Sequence, residues 1–548
     1  MTTTTLGSPA APMAAPPRVR AELAGLCVLL RLSLRRERIP LLIWVLGIGA
    51  VTASTFSAIA ALYPDQAERA ALAASITANP AFLAMLGPVD STTLVGLTAW
   101  RIGVLAATMT GLMAILTVVR RTRADEETGR TELLMAGVVG RSAQLVAAVV
   151  TAMGAAVVIG AAAAAAGISQ GAPVAGSIAL GAALTGSGWV FAGVAAVTAQ
   201  LTENARTATA AAGAALAAGY AIRAVADTVT GMAWLQWLSP QGWVTRVNAY
   251  GTDQVLVLGL FPLTCAALLT AAVLLLHRRD VGLAVFPARP GRVGNPRLAT
   301  PAALAARLHR GSLTGWAVGF AGFGAITGGI AASAGDLITS SPQLAAIINR
   351  LGGAGVLIDT FLAALGAYAG LLAAAYAISA VLRMHAEEIA ERVSPILATP
   401  VGRTRWLRGH LAFALGGAVL LLAVCGLVTG VLHGARIGDP TAGLGKALSA
   451  MLVQIPPVLI MGGLAMAIYG WWPRLSGLAW GALGAALVFG LLGRVLQLPQ
   501  ILLNLSPYTH IPALPTGEMR WIPVGVELLV AAALALTGIV GFRRRDLM

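Results

Sequence analysis

Apolar runs of twenty residues or more, nearly free of charge, recur along this chain, and nothing else in it narrows the possible folds so sharply. Leu145 to Ile168 and Val255 to Leu276 are two of them. As an α-helix, each is long enough to cross about 30 Å of hydrocarbon. A backbone in lipid must satisfy its own amides, and the runs lack the short alternation of a transmembrane barrel, so the chain reads as an all-α integral membrane protein. Composition agrees: 57% of residues are apolar and 11% charged, with a mean hydropathy of +0.81, far from the balance of a soluble domain.

Twelve transmembrane helices are expected. Six lie near 39–62, 96–119, 144–168, 173–201, 207–227 and 255–276, and six near 313–335, 358–382, 409–432, 447–471, 476–496 and 522–542. The chain then divides into a disordered tail rich in Thr, Ala and Pro (1–18), an amphipathic interfacial helix (19–38), a six-helix half (39–276), a linker (277–312), a second six-helix half (313–542) and a short tail (543–548). Residues 19–38 carry Leu23, Leu26, Leu30 and Leu34 on one helical stripe and Arg31, Arg35 and Arg38 on another; a helix lying in the interface and a basic flank of the first span fit equally well. No cleavable signal peptide is read at the start.

The net charge is +15, and all but one of the 37 basic residues are arginine. They cluster between apolar runs, which argues for basic loops retained inside during insertion and against a nucleic-acid partner. With both termini in the cytoplasm, 28 of the 37 fall in inner segments and six in outer ones. One lysine among so much alanine and glycine suggests a GC-rich bacterial genome, hence a bacterial cytoplasmic (inner) membrane. Cys27, Cys265 and Cys425 are too scattered for a disulfide framework or a metal site.

The halves carry a direct repeat. Laid over each other at an offset of 262, RTRADEETGRTELLMAGVVGR (121–141) and RMHAEEIAERVSPILATPVGR (383–403) agree at eight of 21 positions: Arg121/Arg383, Ala124/Ala386, Glu126/Glu388, Arg130/Arg392, Ala136/Ala398, Val139/Val401, Gly140/Gly402 and Arg141/Arg403. Leu238-Ser239-Pro240 recurs as Leu505-Ser506-Pro507 before the last span, and Arg278-Arg279-Asp280 as Arg544-Arg545-Asp546 after it. The common order makes the repeat parallel, with both loops on the cytoplasmic face. In the second copy Ser394 is expected to cap, and Pro395 to open, a helix of little more than one turn that Pro400 stops; Gly129 and Gly137 bracket the equivalent piece in the first. Glu126, Glu127, Arg130 and Glu132, and Glu387, Glu388, Glu391 and Arg392, are expected to face water. A short helix tied to long spans can act as a lever that tilts them when pushed. The plainer reading is a solvated turn that fixes topology.

The basic amphipathic start, the E-E-x-x-R-x-x-x-x-x-A-x-x-V-G-R loop (126–141), the LSP segment and their duplication resemble the ABC-2 type exporter permeases. They resemble more closely the duplicated permeases of actinobacterial tetronasin-type polyketide-antibiotic and multidrug exporters, over nearly the whole chain. The resemblance implies two tandem six-helix ABC-2 type halves whose loop after the second span docks on an ATPase. That role carries over to Glu126, Glu127, Arg130 and Glu132 and to Glu387, Glu388 and Arg392. The second copy departs from the first with Glu391 for Gly129 and Ser394 for Glu132, which puts equal coupling of the halves in doubt. Also implied are two copies of a separate ABC ATPase holding ATP and Mg, and export of amphipathic drugs, polyketide antibiotics or lipids. The chain itself has no G-x-x-x-x-G-K-[ST], since its one lysine, Lys446, precedes Ala447; it is expected to be a permease without a nucleotide site, a metal or a cofactor of its own.

Charge within the spans is sparse. Arg101, Arg223, Asp227, Arg494 and Glu527 fall near outer span ends, where long side chains are expected to reach water, and Arg223 and Asp227 to pair. The six histidines form no metal or catalytic constellation. Trp234, Trp237, Trp243, Tyr250, Tyr508 and Trp521 read as interfacial anchors. Gly324/Gly328 and Gly426/Gly430 have helix-packing spacing. The alternative function is a twelve-span secondary drug antiporter of the major-facilitator type, which the Asp125 to Arg130 segment also resembles; the shortage of central carboxylates argues against it. A membrane-embedded enzyme lacks any convergent acidic or nucleophilic cluster.

Overall fold

The computed structural model describes residues 22–77, 80–137, 139–252, 254–280, 282–286, 298, 300–340, 354–492 and 499–546. The expected tail 1–18 lies outside them. The described residues form helices and connecting turns, without a strand. The chain divides into two compact units, Met1–Pro290 and Gly291–Met548. In the first, the long helices are α1 (Leu26–Leu62), α2 (Leu94–Arg121), α3 (Ala143–Ser169), α4 (Val174–Leu201), α5 (Ala205–Thr228) and α6 (Leu260–His277). In the second they are α7 (Pro301–Ser340), α8 (Ala354–Ile389), α9 (Arg403–Ile437), α10 in two limbs (Pro440–Leu452 and Ile455–Trp471), α11 (Leu478–Leu487) and α12 (Trp521–Arg544). Among the described residues ten helices are long and apolar enough to cross a membrane. Of the two remaining expected spans, 313–335 falls within α7. The other, 476–496, is α11 continued by a π-helical turn, Val488–Leu492, beyond which 493–498 lie outside the described residues.

Small residues set how closely the helices pack. Gly160 of α3 and Gly181 of α4 lie each against the other's carbonyl, where no side chain fits. In the second unit Gly324 and Gly328 of α7 face the carbonyls of Cys425 and Thr429 on α9, a Cβ at either standing only 2.8 Å away, and Gly426 and Gly430 receive Leu448 and Leu444. The larger side chains fill what remains: Trp406, Tyr469 and Phe542 form a ring cluster inside the second unit, with centroids 5.7 to 5.8 Å apart along it.

Several elements depart from the sequence reading. From Leu26 the expected interfacial helix runs unbroken through Pro40 into the first span. Its packed face is Leu29, Ser33 and Glu37, one residue per turn toward α3 and the end of α2, while Leu34 stays exposed. α10 is interrupted at Val453 and Gln454, because Pro456 and Pro457 cannot donate to the preceding turn. Trp243 and Tyr250 are packing residues and not anchors: Trp243 is buried and donates to the Trp237 carbonyl (2.7 Å), and the Tyr250 ring lies on Gly176 with its hydroxyl 2.9 Å from Ser177. Arg223 and Asp227 do pair, at 3.0 Å, but with both side chains fully buried; Arg223 also donates to the Met85 carbonyl (3.1 Å), pinning the short helix Pro80–Leu86. Glu527 is likewise buried.

The repeated LSP segment has one job in both units. The hydroxyls of Ser239 and Ser506 donate to helix carbonyls, Gly219 on α5 (2.7 Å) and Ala486 on α11 (3.1 Å), and so tie the segment before the last helix to the fifth.

Candidate functional site

At the end of α2 the chain makes two short helices, Arg123–Glu127 and Arg130–Met135, hinged at Gly129 with φ 70°. After α8 it makes one, Val393–Leu397, and the equivalent hinge is Glu391 with φ 55°. Both copies therefore place a left-handed residue at the same repeat position, although only one supplies the glycine that favours it. The second short helix begins two residues earlier than expected, at Val393, and has no side-chain cap, so Ser394 does not cap it; the break at Glu391 sets its start.

Charged residues of the repeat meet in the same way in both units. Asp125 is bridged by Arg121 (3.8 Å) and Arg130 (3.3 Å), and its counterpart Glu387 by Arg383 and Arg392 (3.5 Å each). Glu126 pairs with Arg279 just past α6 (2.7 Å), and Glu388 with Arg545 just past α12 (2.6 and 2.7 Å, one bond to each carboxylate oxygen). Arg141 then donates to the carbonyl of Arg279, and Arg403 to that of Arg545 (2.9 Å). In the first unit the loop just after the second helix, and in the second unit the last turn of the second helix itself, is thus latched to the end of the sixth by a carboxylate largely shielded from solvent, and the chain entering the third helix closes on the same point.

Glu126, Glu387 and Glu388 accordingly do not face water as expected; Glu387 and Glu388 are 8% and 6% exposed, and the Glu126 side chain 10%. Guanidinium forks satisfy these carboxylates in place of solvent. Glu127, Arg130, Glu132, Glu391 and Arg392 are exposed, together with two apolar residues, Leu133 and Ile389, at 79% and 69%. The sequence reading had noted Arg141, Arg403 and the repeated Arg-Arg-Asp without assigning them a part; their recurrence was the available signal for the latches.

The first latch has an extra clamp. Arg123, 1% exposed, bonds Glu126, the Glu203 carbonyl (2.8 Å) and the Leu283 carbonyl (3.1 Å), and Arg279 also donates to Gln200 (2.8 Å). The position equivalent to Arg123 in the second unit is His385, which lies 5.8 Å from the Tyr469 ring; Tyr469 in turn donates to Glu388 (2.8 Å). α1 is bound in by Glu37, buried between Arg120 and Arg121. Among the described residues no group of three or more metal-ligating side chains assembles. Two histidines that look unrelated in sequence, His309 and His410, do meet, at 3.0 Å.

An all-helical, multi-pass membrane protein built twice over, with one latched loop per half, is the class these features define. Comparison with known proteins narrows it: the family described as multidrug efflux system permease Rv1217c, C-terminal domain, matches residues 28–278 and 298–543, and the chain belongs to it. It is similar to the multidrug efflux system permease protein Rv1217c of Mycobacterium tuberculosis (strain ATCC 25618 / H37Rv), at 40% identity over 524 residues and 95% of each chain. The matched stretches take in both repeats, both latching arginines excepted.

Proposed function

We propose that this chain is the permease subunit of an ATP-driven, ABC-2 type exporter of the duplicated tetronasin-like kind. It sits in a bacterial cytoplasmic membrane with both termini inside, and two copies of a separate ABC ATPase, holding ATP and Mg, drive it. Its cargo is amphipathic drugs, polyketide antibiotics or lipids; the relative's description as a multidrug efflux permease supports the outward direction. The observation that carries the reading is the doubled latch at the base of each lever: Glu126, in the short helix Arg123–Glu127, and Glu388, in the last turn of α8, are each ion-paired to the arginine just past the last helix of their own half. A push on such a lever is passed to α2 and α6, or to α8 and α12, instead of being lost in bending.

The docking face in this reading is Glu127, Arg130, Glu132 and Leu133 in the first half and Ile389, Glu391 and Arg392 in the second. Glu126, Glu387 and Glu388 hold the levers from within. Replacing Leu133 and Ile389 together by aspartate is expected to cut copurification with the co-expressed ATPase about tenfold, the loss of roughly 1.4 kcal/mol, with membrane insertion unchanged. Normal copurification and normal efflux in that variant would remove the docking assignment.

One observation favours a second reading, the twelve-span secondary antiporter: Glu527 in α12 is a buried carboxylate without a hydrogen-bond partner, the kind of group that loads protons in such transporters. Efflux that survives inactivation of the ATPase and collapses with an uncoupler would decide for it.

A further inference from the structure

Where α2 begins, at the end of the first unit remote from its latch, two cavities meet. One, of about 230 Å³, is lined mainly by polar side chains, among them Asp90, Gln236, Arg246, Asn248 and Gln254. The other, of about 50 Å³, is a narrow and mainly apolar slot between Leu86, Trp100, Gly103, Leu180 and Val244. Pro88, Asp90, Thr245 and Asn248 line both, so the slot is the floor of the wider mouth. Fixed groups shape this cleft. The Trp100 indole donates to the Gly87 carbonyl (2.7 Å). The turn after the short helix Pro240–Val247 carries two left-handed residues that are not glycine, Asn248 (φ 46°) and Tyr250 (φ 67°), a costly conformation of the kind that gathers where a binding surface is held in one shape.

The mouth holds one charge of each sign, and the two are not joined. Among the described residues neither Asp90, exposed at the rim, nor the half-buried Arg246 has an ion-pair partner. The Arg246 guanidinium stands 4.5 Å from the centroid of the Trp237 ring, which holds it in place without neutralising it, and its Nε is sheltered without an acceptor. The charges behind the wall are already mated: Arg223 with Asp227 (3.0 Å), whose carboxylate also accepts from Gln236 (2.6 Å). A simple cation drawn to Asp90 would be repelled by Arg246, and a simple anion the reverse, whereas a solute with both charges serves both. A cleft that pairs a few fixed polar groups with an apolar floor orients an amphipathic ligand.

We propose that this cleft binds a zwitterionic amphiphile, its anionic group on Arg246, its ammonium on Asp90 and the start of its apolar chain in the slot beside Trp100. A phospholipid whose head group carries a phosphate and a primary ammonium has this chemistry: the arginine fork matches phosphate oxygens, and a carboxylate accepts from an ammonium. In the orientation proposed above, the cleft lies on the outer face. The site does not depend on how the chain is powered.

The probe is lysophosphatidylethanolamine with a fluorophore at the end of its chain, added to the purified full chain in an uncharged maltoside detergent and read by fluorescence polarisation. Lysophosphatidic acid and a primary alkylamine with the same labelled chain present each charge alone. The native chain is expected to bind the zwitterion about tenfold more tightly than either. Arg246→Gln should weaken the zwitterion and the phosphate probe about tenfold and spare the amine, and Asp90→Asn should weaken the zwitterion and the amine and spare the phosphate probe. Arg246→Lys, which keeps the charge, should retain most of the binding. Equal binding of the three probes by the native chain overturns the site, as does a loss in Arg246→Lys as large as in Arg246→Gln at a native thermal midpoint. Unlabelled phosphoethanolamine, the head group without a chain, should compete far more weakly than the unlabelled lysolipid; equal competition would overturn the amphiphile.

Discussion

An acidic residue beside an arginine at a protein surface contributes little, because water screens the pair and two long side chains must be held still. Glu388 and Arg545 are in another situation, with their side chains 6% and 14% exposed and two bonds between them. Removing one partner strands a charge with little water to receive it, at a cost of roughly 3 kcal/mol. Glu388→Gln is therefore expected to lower the thermal midpoint of the detergent-solubilised chain, read by tryptophan fluorescence. The exchange Glu388→Arg with Arg545→Glu should recover part of the loss, and failure of the swap to recover any would mean that Tyr469, not the ion pair, fixes Glu388. The hinge residues differ in the opposite sense. Gly129 adopts its left-handed conformation freely, while Glu391 pays about 1 kcal/mol for the same angle, so the second lever carries local strain that the first does not.

At the scale of elements, helix approach depends on where glycine lacks company and where it does not. On α7, a Cβ at Gly324 would stand 2.8 Å from the Cys425 carbonyl, whereas one at Gly322 would meet nothing within 4 Å. Gly322→Ala is expected to be neutral or to stabilise by up to about 1 kcal/mol through helix propensity, and Gly324→Ala to destabilise by about 1–3 kcal/mol through overpacking against α9. Thermal midpoints of the two variants check this, and equal shifts would deny the close packing. The spacing of Gly324 and Gly328 made this contact legible in the sequence, as run length made the spans legible. The interruption of α10 was less so, since it lies inside a continuous apolar run; Pro456-Pro457 carried the signal, because two successive prolines cannot donate to the preceding turn and so open a helix more readily than they continue one.

Across the whole molecule, the duplication was visible as repeated letters, but its meaning was not. Glu126 and Arg279 are 153 positions apart and Glu388 and Arg545 157, and nothing local says that such residues meet. Taken one at a time, charges between spans look solvated; only folding brings the third-helix arginine, the last-helix arginine and the loop carboxylate to one place. Each latch is made wholly within one unit, so cleavage at a protease site placed between Phe286 and Pro301 is expected to leave the thermal midpoint of the purified chain where it was. A fall as large as that of Glu388→Gln would show that the latches depend on chain continuity. The two anchors are unequally protected, however. Arg279 is held by Gln200 and closed in by Val285 and Phe286, folded back onto the carbonyls of Gln200 and Leu201, whereas Arg545 rests over the rings of Tyr469 and Phe542 (5.0 and 5.1 Å). A substitution that removes the Arg545 guanidinium would therefore unfasten one half while sparing its twin, leaving a molecule braced on one side only.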